Sequence, residues 1–290
     1  MSLKQWVGLA VLSLMACNLA NPVALKPAQP SPDSFKAPST RGPTPAFPNN
    51  ASIWQSPLGA LRWQWQLSEL PLDLSLEVDM VDIDLFDNEA DVVAALHAQG
   101  RKVICYVSVG SWEDWRPDKD QFPEAVIGKA YAGWPGENWL DIRQIDLLAP
   151  VMRLRLDLCQ DKGFDGIEPD NMDGYTNDTG FPLTYADQLK YNLWLAEEAH
   201  ARNLSIGLKN DPDQVADLLP YFDWALTEDC FAEGWCEDML PFIQMGKPVF
   251  AAEYTDTGVN MEQLCPQAER LQFSLILKQR QLDAWQQACP

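Results

Sequence analysis

The sequence predicts an α/β fold of the closed (β/α)8, or TIM-barrel, type. Two observations carry this expectation. Eight short apolar runs alternate with helix-like segments over residues 51–290, and strands that alternate with helices form a parallel sheet. Eight such units in about 240 residues suit a barrel better than an open sheet. No G-x-G-x-x-G turn follows the first strand and no Walker sequence is present, so a nucleotide cofactor is not expected. An open doubly wound sheet is the alternative.

Residues 1–16 read as a signal peptide. Lys4 precedes an apolar stretch of eleven residues, 6–16, whereas a bilayer span needs roughly 20. The stretch ends in Leu14-Met15-Ala16-Cys17, which resembles the bacterial lipobox and makes Cys17 the expected lipidation site. Ordinary cleavage nearby, with Cys17 incidental, is the alternative. Residues 17–50 read as a tether, because 21–50 contain eight prolines and cannot bury a core. The folded domain is expected over 51–290.

Within that domain the expected strands are 61–67, 80–86, 102–109, 163–167, 204–208, 224–227, 248–252 and 273–277. The expected helices are 89–99, 147–162, 185–202, 212–219, 236–245 and 260–271. Gly100 and Gly163 follow the first two helices, where a helix-ending glycine is favoured. Asp211-Pro212 looks like an N-cap with proline at N1. The insertion of about 35 residues after the third strand is long for a barrel loop. It carries Trp112, Trp115, Trp134 and Trp139, and it is expected to wall a cleft.

Composition narrows the chemistry. The chain has 42 Asp+Glu against 21 Lys+Arg, a formal charge of −21. Only Asp33, Lys4, Lys26, Lys36 and Arg41 precede residue 51, so the domain holds 41 acids against 17 bases, a net −24. That surface disfavours nucleic acid. A hydrophobic fraction of 47% supports a substantial core. The two histidines, His97 and His200, fall inside expected helices, which disfavours His-based metal sites and triads. No G-x-S-x-G elbow and no C-x2-C pairs occur, so neither a serine hydrolase nor thiolate zinc is expected. Setting Cys17 aside leaves six of seven cysteines, an even number suited to an oxidising compartment.

Barrel chemistry sits at the carboxyl ends of strands, and carboxylates recur at five or more of those ends. Strand two ends in Asp82-Ile83-Asp84-Leu85-Phe86-Asp87, Glu113 follows strand three, and Glu168-Pro169-Asp170-Asn171 follow strand four. Asp211, Glu228-Asp229 and Glu253-Tyr254 follow strands five, six and seven. For Asp87 and Asp211 the default is N-capping of the next helix. Carboxylate pairs without histidine or a nucleotide motif suggest glycoside hydrolysis, one acid protonating the leaving oxygen and the other acting as nucleophile or base. Aromatic faces that stack on sugar rings fit the same chemistry.

Several stretches match a family in order: Trp63-Gln64-Trp65-Gln66-Leu67, Val81-Asp82-Ile83-Asp84-Leu85-Phe86-Asp87, Val103-Ile104-Cys105-Tyr106-Val107-Ser108-Val109-Gly110, Gly163-Phe164-Asp165-Gly166-Ile167-Glu168-Pro169-Asp170-Asn171, Gly207-Leu208-Lys209-Asn210, Glu228-Asp229-Cys230-Phe231 and Val249-Phe250-Ala251-Ala252-Glu253-Tyr254. Over almost all of residues 54–285 the domain resembles glycoside hydrolase family 114, the endo-α-1,4-polygalactosaminidase group. The resemblance implies a (β/α)8 fold and cleavage within α-1,4-linked galactosamine polymers; the missing nucleotide motifs and the scarcity of His and of paired Cys already leave no cofactor or metal expected. It places the catalytic carboxylates on Asp170, the nucleophile, and Glu228, the general acid/base. Asp84, Tyr106, Asn171, Lys209 and Tyr254 match polar positions of the cleft, and Glu253 joins the expected substrate-binding set. For Lys209 an ion pair with Glu168 or Glu228 is the alternative. Glu168 shares a strand face with Asp170 and is a supporting partner, a substrate contact or a catalytic member.

Placement along the chain suggests three disulfides among fifteen connectivities: Cys105–Cys159, Cys230–Cys236 and Cys265–Cys289. The expected product is an exported monomer, anchored to a bacterial membrane through Cys17 or else secreted. Its expected partner is a polysaccharide, cationic where acetyl groups are lost. A non-catalytic carbohydrate-binding protein and a same-fold hydrolase of another glycan are the alternatives.

Overall fold

The computed structural model describes Gly59 and residues 61–290. The expected signal peptide, the expected lipidation site Cys17, the expected tether and the expected start of the domain at residue 51 lie outside the described residues. In chain order the strands are β1 (Trp63–Gln66), β2 (Met80–Asp84), β3 (Lys102–Ser108), β4 (Ser111–Glu113), β5 (Ile127–Ala130), β6 (Glu137–Leu140), β7 (Gly166–Asp170), β8 (Ser205–Lys209), β9 (Trp224–Glu228), β10 (Val249–Tyr254), β11 (Ser274–Lys278) and β12 (Gln287–Ala288). The helices are α1 (Ala90–Ala98), α2 (Ile145–Lys162), α3 (Tyr185–His200), α4 (Val215–Leu218), α5 (Cys230–Glu233), α6 (Leu240–Gln244) and α7 (Met261–Leu271).

Eight strands pair in parallel in the order β1-β2-β3-β7-β8-β9-β10-β11, with β12 antiparallel on the far edge of β11. This is the predicted (β/α)8 barrel, nearly closed. The seam between β1 and β11 is bridged by side chains and by the tail. Trp63 Nε1 donates to Ser274 O at 2.9 Å, and Lys278 Nζ donates to Gln64 Oε1 at 2.9 Å. The Leu67 and Ser68 amides both donate to Leu282 O. The expected insertion is a three-stranded antiparallel sheet of order β4-β6-β5.

Alternation along each strand separates two apolar clusters. One packs the outward strand residues, such as Val81, Ala225 and Ala251, against helix residues including Leu148 and Leu195. The other lines the barrel interior and holds Trp63, Trp65, Met80, Ile104, Trp224, Leu226, Phe250 and Ile276. Three of the twelve tryptophans are therefore interior filling. Room for them comes from glycine: a Cβ on Gly207 would lie 2.5 Å from the Trp224 ring.

Several boundaries differ from expectation. The fourth strand runs Gly166–Asp170 rather than 163–167, because Gly163, at φ 89°, ends α2 and sends the chain into a connection first. The expected helix 212–219 is a 3-10 turn at Pro212–Gln214 followed by the single turn of α4. Asp211 is left-handed and caps nothing with its side chain; its oxygens accept from Tyr175 Oη at 3.1 Å and Asn192 Nδ2 at 3.2 Å. Asp87 does not cap α1 either, whose N-cap is Glu89. The expected helix 236–245 divides into a 3-10 turn, Cys236–Met239, and α6, because Pro241 has no N–H to continue the earlier turn. All three expected disulfides are present.

Candidate active site

The carboxyl ends of the barrel strands open into a cavity of about 840 Å3. Its walls carry twelve carboxylates against three cations, Arg116, Lys209 and Arg280. After three neighbouring strands the chain turns through a left-handed residue: Asn171 (φ 64°) after β7, Asn210 (φ 51°) after β8 and Asp229 (φ 55°) after β9. Short polar Asn and Asp side chains tolerate this region best after glycine. Each sharp turn leaves the last strand residue, respectively Asp170, Lys209 and Glu228, at the cavity floor.

Lys209 joins the two predicted catalytic carboxylates. Its ammonium lies 2.7 Å from Glu168 Oε1, 2.8 Å from Asp170 Oδ1 and 3.1 Å from Glu228 Oε2. Its other side meets the Trp65 ring, 4.6 Å from the centroid. Burial alone lowers the Lys209 pKa, but Asp170, Glu168 and Glu228 hold it well above the usual range. The ammonium is therefore permanently charged.

Each carboxylate has further donors. Tyr106 Oη donates to Asp170 Oδ2 at 2.9 Å. Tyr254 Oη donates to Glu228 Oε1, and Asn210 Nδ2 donates to Glu228 Oε2 at 3.3 Å. Both tyrosines are pushed well above their ordinary range by burial, reinforced by Asp170 for Tyr106 and Glu228 for Tyr254. They remain protonated donors. The Asp170 backbone is also held: its carbonyl accepts from the Val109 and Gly110 amides at 3.0 and 3.3 Å. Gly110 permits that approach, since a Cβ there would lie 1.8 Å from Asn171 O.

The remaining predicted residues divide. Asp84 lines the cavity and pairs with Arg116 at 2.6 Å, and Arg116 also reaches Glu113 at 2.8 Å. Asn171 lines it too, and its Nδ2 donates to Ser108 Oγ, Ser111 Oγ and Glu137 Oε1. Glu168 lies outside the lining, fully buried behind Lys209. Glu253 is also fully buried and turned away: its oxygens accept from the Phe231 and Ala232 amides at 2.8 and 3.1 Å. It fixes the loop after β9, and its position corrects the expectation of a substrate contact. Of the four insertion tryptophans, Trp115 and Trp134 line the cavity. Trp139 is buried instead, and Trp112 Nε1 donates to Lys119 O at 3.0 Å.

Sequence reasoning passed over Glu137, Asp173 and Arg280 on the wall and gave Asp211 a capping role by default. Glu137 on β6 has its carboxyl pushed up to about 7, chiefly by burial, with Ser111 opposing. Asp173 rises to about 6 through burial and the neighbouring Asp170. Asp211 rises to about 8, again chiefly through burial. Arg280 lies over the Tyr254 ring at 4.1 Å and pairs with Asp229 at 2.8 Å. Asn or Asp after each strand end was the one available signal for the turns. The others arrive from separate loops with no shared spacing. Among the described residues, no group of His, Cys, Asp and Glu is arranged to hold a metal ion.

A model of glycoside-hydrolase family GH114 matches residues 43–290 of this chain. An uncharacterised protein of Deinococcus radiodurans is 26% identical over 232 residues, covering 71% of this chain and 74% of that protein. The crystal structure of Aspergillus fumigatus Ega3 in complex with galactosamine superposes with a TM-score of 0.77 at 41% identity, over 82% of this chain and 98% of that one. The glycoside hydrolase domain of PelA from Pseudomonas aeruginosa shares the fold, with a TM-score of 0.61 at 15% identity, over 78% of this chain and 98% of that one.

Proposed function

The chain belongs to glycoside-hydrolase family GH114, and from that premise we propose that it cuts internal α-1,4-galactosaminidic bonds of a partly deacetylated galactosamine polymer, with Asp170 as nucleophile and Glu228 as general acid/base. The observation that carries this reading is the single buried ammonium held between the two carboxylates. Lys209 Nζ is 2.8 Å from Asp170 Oδ1 and 3.1 Å from Glu228 Oε2. Those oxygens are therefore at most about 6 Å apart, near the ~5–5.5 Å of retaining pairs and below the ~6.5–9.5 Å of inverting ones.

In the first step an Asp170 oxygen attacks the anomeric carbon while protonated Glu228 gives its proton to the departing glycosidic oxygen. This forms a glycosyl ester on Asp170. In the second step Glu228 takes a proton from water, whose oxygen attacks the same carbon and releases Asp170. Tyr106 and Lys209 hold the nucleophile's two oxygens in fixed directions, so little reorganisation accompanies attack. The division of roles between the two carboxylates follows the family resemblance.

Charge supports the substrate class. With twelve carboxylates against three cations, the cavity attracts ammonium groups, and Ega3 was crystallised with galactosamine. Trp115 and Trp134, each about half exposed at the rim, offer faces to sugar rings. The three disulfides fit an exported protein.

The test is digestion of partly deacetylated and of fully acetylated α-1,4-galactosaminan, alongside other glycans, read by mass spectrometry. Oligomers of mixed length are expected from the deacetylated polymer, and added salt weakens its binding more than that of the acetylated one. Asp170→Asn and Glu228→Gln each lower kcat by about 10²–10⁴-fold or more while the fold is kept. Full activity in both variants overturns the assignment. Cleavage of a different glycan overturns the substrate.

A further inference from the structure

Beneath the cavity floor lies a carboxyl group that substrate cannot reach. Asp82, on β2, is fully buried and lines no part of the cavity. It points into the barrel two residues after Met80, an interior residue. Inward side chains of alternate barrel strands share a layer, so the second strand, β2, meets the fourth, β7, across β3. There Asp82 lies against Glu168, which is also fully buried.

The hydrogen-bond inventory at this contact is incomplete in one specific way. Glu168 Oε1 accepts from Lys209, but Glu168 Oε2 and both Asp82 oxygens have no donor. Lys209 donates to Glu168 Oε1 and Asp170 Oδ1 and pairs with Glu228 Oε2 at 3.1 Å, so it supplies a donor to neither Glu168 Oε2 nor Asp82. With every group ionised, four carboxylates would surround one ammonium, two of them, Asp82 and Glu168, fully buried, an arrangement of high cost. One proton resolves both problems, giving Glu168 Oε2 a donor and removing one negative charge.

We propose that Asp82 is held as a neutral carboxylic acid that donates a hydrogen bond to Glu168, and that it is thereby a positioning residue fixing Lys209 between Asp170 and Glu228. The inference rests on the reading of those two carboxylates as the reacting pair. The charged groups acting on Asp82 are Glu168 and Asp170 on β7 and Lys209 on β8. Burial raises Asp82 well above its ordinary range, Glu168 and Asp170 add to the rise, and Lys209 opposes it. Burial raises Glu168 too, but Lys209 touches it directly, at 2.7 Å, and lowers it, whereas neither Asp82 oxygen has a donor. The proton therefore resides on Asp82. Glu168 stays an ionised anchor for Lys209, which remains paired with Asp170 and Glu228.

The test compares Asp82→Asn, whose amide keeps a donor toward Glu168, with Asp82→Ala, which removes it. Infrared spectroscopy of the intact protein at neutral pH is expected to show a carboxylic-acid carbonyl band that vanishes in Asp82→Asn. Asp82→Ala is expected to lower kcat about tenfold with KM little changed, and to move the pH profile of kcat. Asp82→Asn is expected to recover most of kcat and the original profile. If Asp82→Ala does not fold, the band and Asp82→Asn decide alone. The proposal is overturned if no carbonyl band is lost in Asp82→Asn, or if folded Asp82→Asn is as impaired as Asp82→Ala. The band requires no turnover, so it remains decisive for Asp82 even if no galactosaminan is cleaved.

Discussion

At the start of β9 and near the start of β10 the inward side chains are Trp224 and Phe250, whose rings meet nearly edge-on at 5.8 Å. At the carboxyl ends of the same two strands they are Glu228 and Tyr254, joined by a hydrogen bond. Four residues along each strand convert a dry aromatic filling into charged chemistry. Trp63, Trp224, Phe250 and Met80 fill the lower barrel and are almost wholly buried. Above them stand Asp170, Lys209 and Glu228. The two ends divide the labour: the lower layer supplies stability through burial, and the upper layer holds ionised groups by hydrogen bonds and ion pairs.

The largest effect that separates the two ends is expected at Trp224. Trp224→Ala removes a fully buried ring and is expected to cost about 3–5 kcal/mol of stability, read by denaturant unfolding. Activity per folded molecule should change far less. Equal losses in both would break the comparison, because the filling would then also be shaping the reacting groups.

Gly207→Ala tests the same filling more gently. Its added Cβ would lie 2.5–2.7 Å from three atoms of the Trp224 ring, and overpacking of this kind costs about 1–3 kcal/mol. A lowered melting temperature with unchanged KM would sharpen the division. A change in KM with no loss of stability would show that strain passes upward to Lys209, two residues along β8.

The smallest effect is a slope. The Glu137 carboxyl is raised from its ordinary 4.5 to about 7, mainly by burial. Between those values the folded state binds more proton than the unfolded one, so stability falls as pH rises through that window. Glu137→Gln is expected to flatten that part of the curve of melting temperature against pH. An unchanged slope would assign it to other raised groups at the same end, such as Asp173 and Asp211.

Much of this was legible in the residues. Strand and helix alternation marked the eight units, and the helix-ending Gly163 was visible, although the strand after it begins only at Gly166. The expected strands five to seven stop one or two residues early, at Leu208, Thr227 and Ala252. Polar residues looked like strand ends, yet parallel pairing continues through Lys209, Glu228 and Tyr254. Those side chains point into the barrel, where a hydrogen-bonded network replaces apolar contact. Glu253 misled because strand-end position was read without strand face: next to inward Tyr254, it necessarily points outward.

By itself the sequence determined the period of the fold, the acidity of the domain and which residue types stand at the strand ends. Each of these is a local or summed property of the chain. Only the tertiary structure decided that one ammonium joins Asp170 to Glu228, that Asp82 faces Glu168, and that Trp224 fills the space above Gly207. These contacts join residues far apart in the chain that are brought side by side only when the strands pair into the sheet, and their consequences depend on distance and burial. Charge in water is cheap and nearly independent of its neighbours, whereas charge in a dry barrel layer is governed by the few atoms within hydrogen-bonding reach.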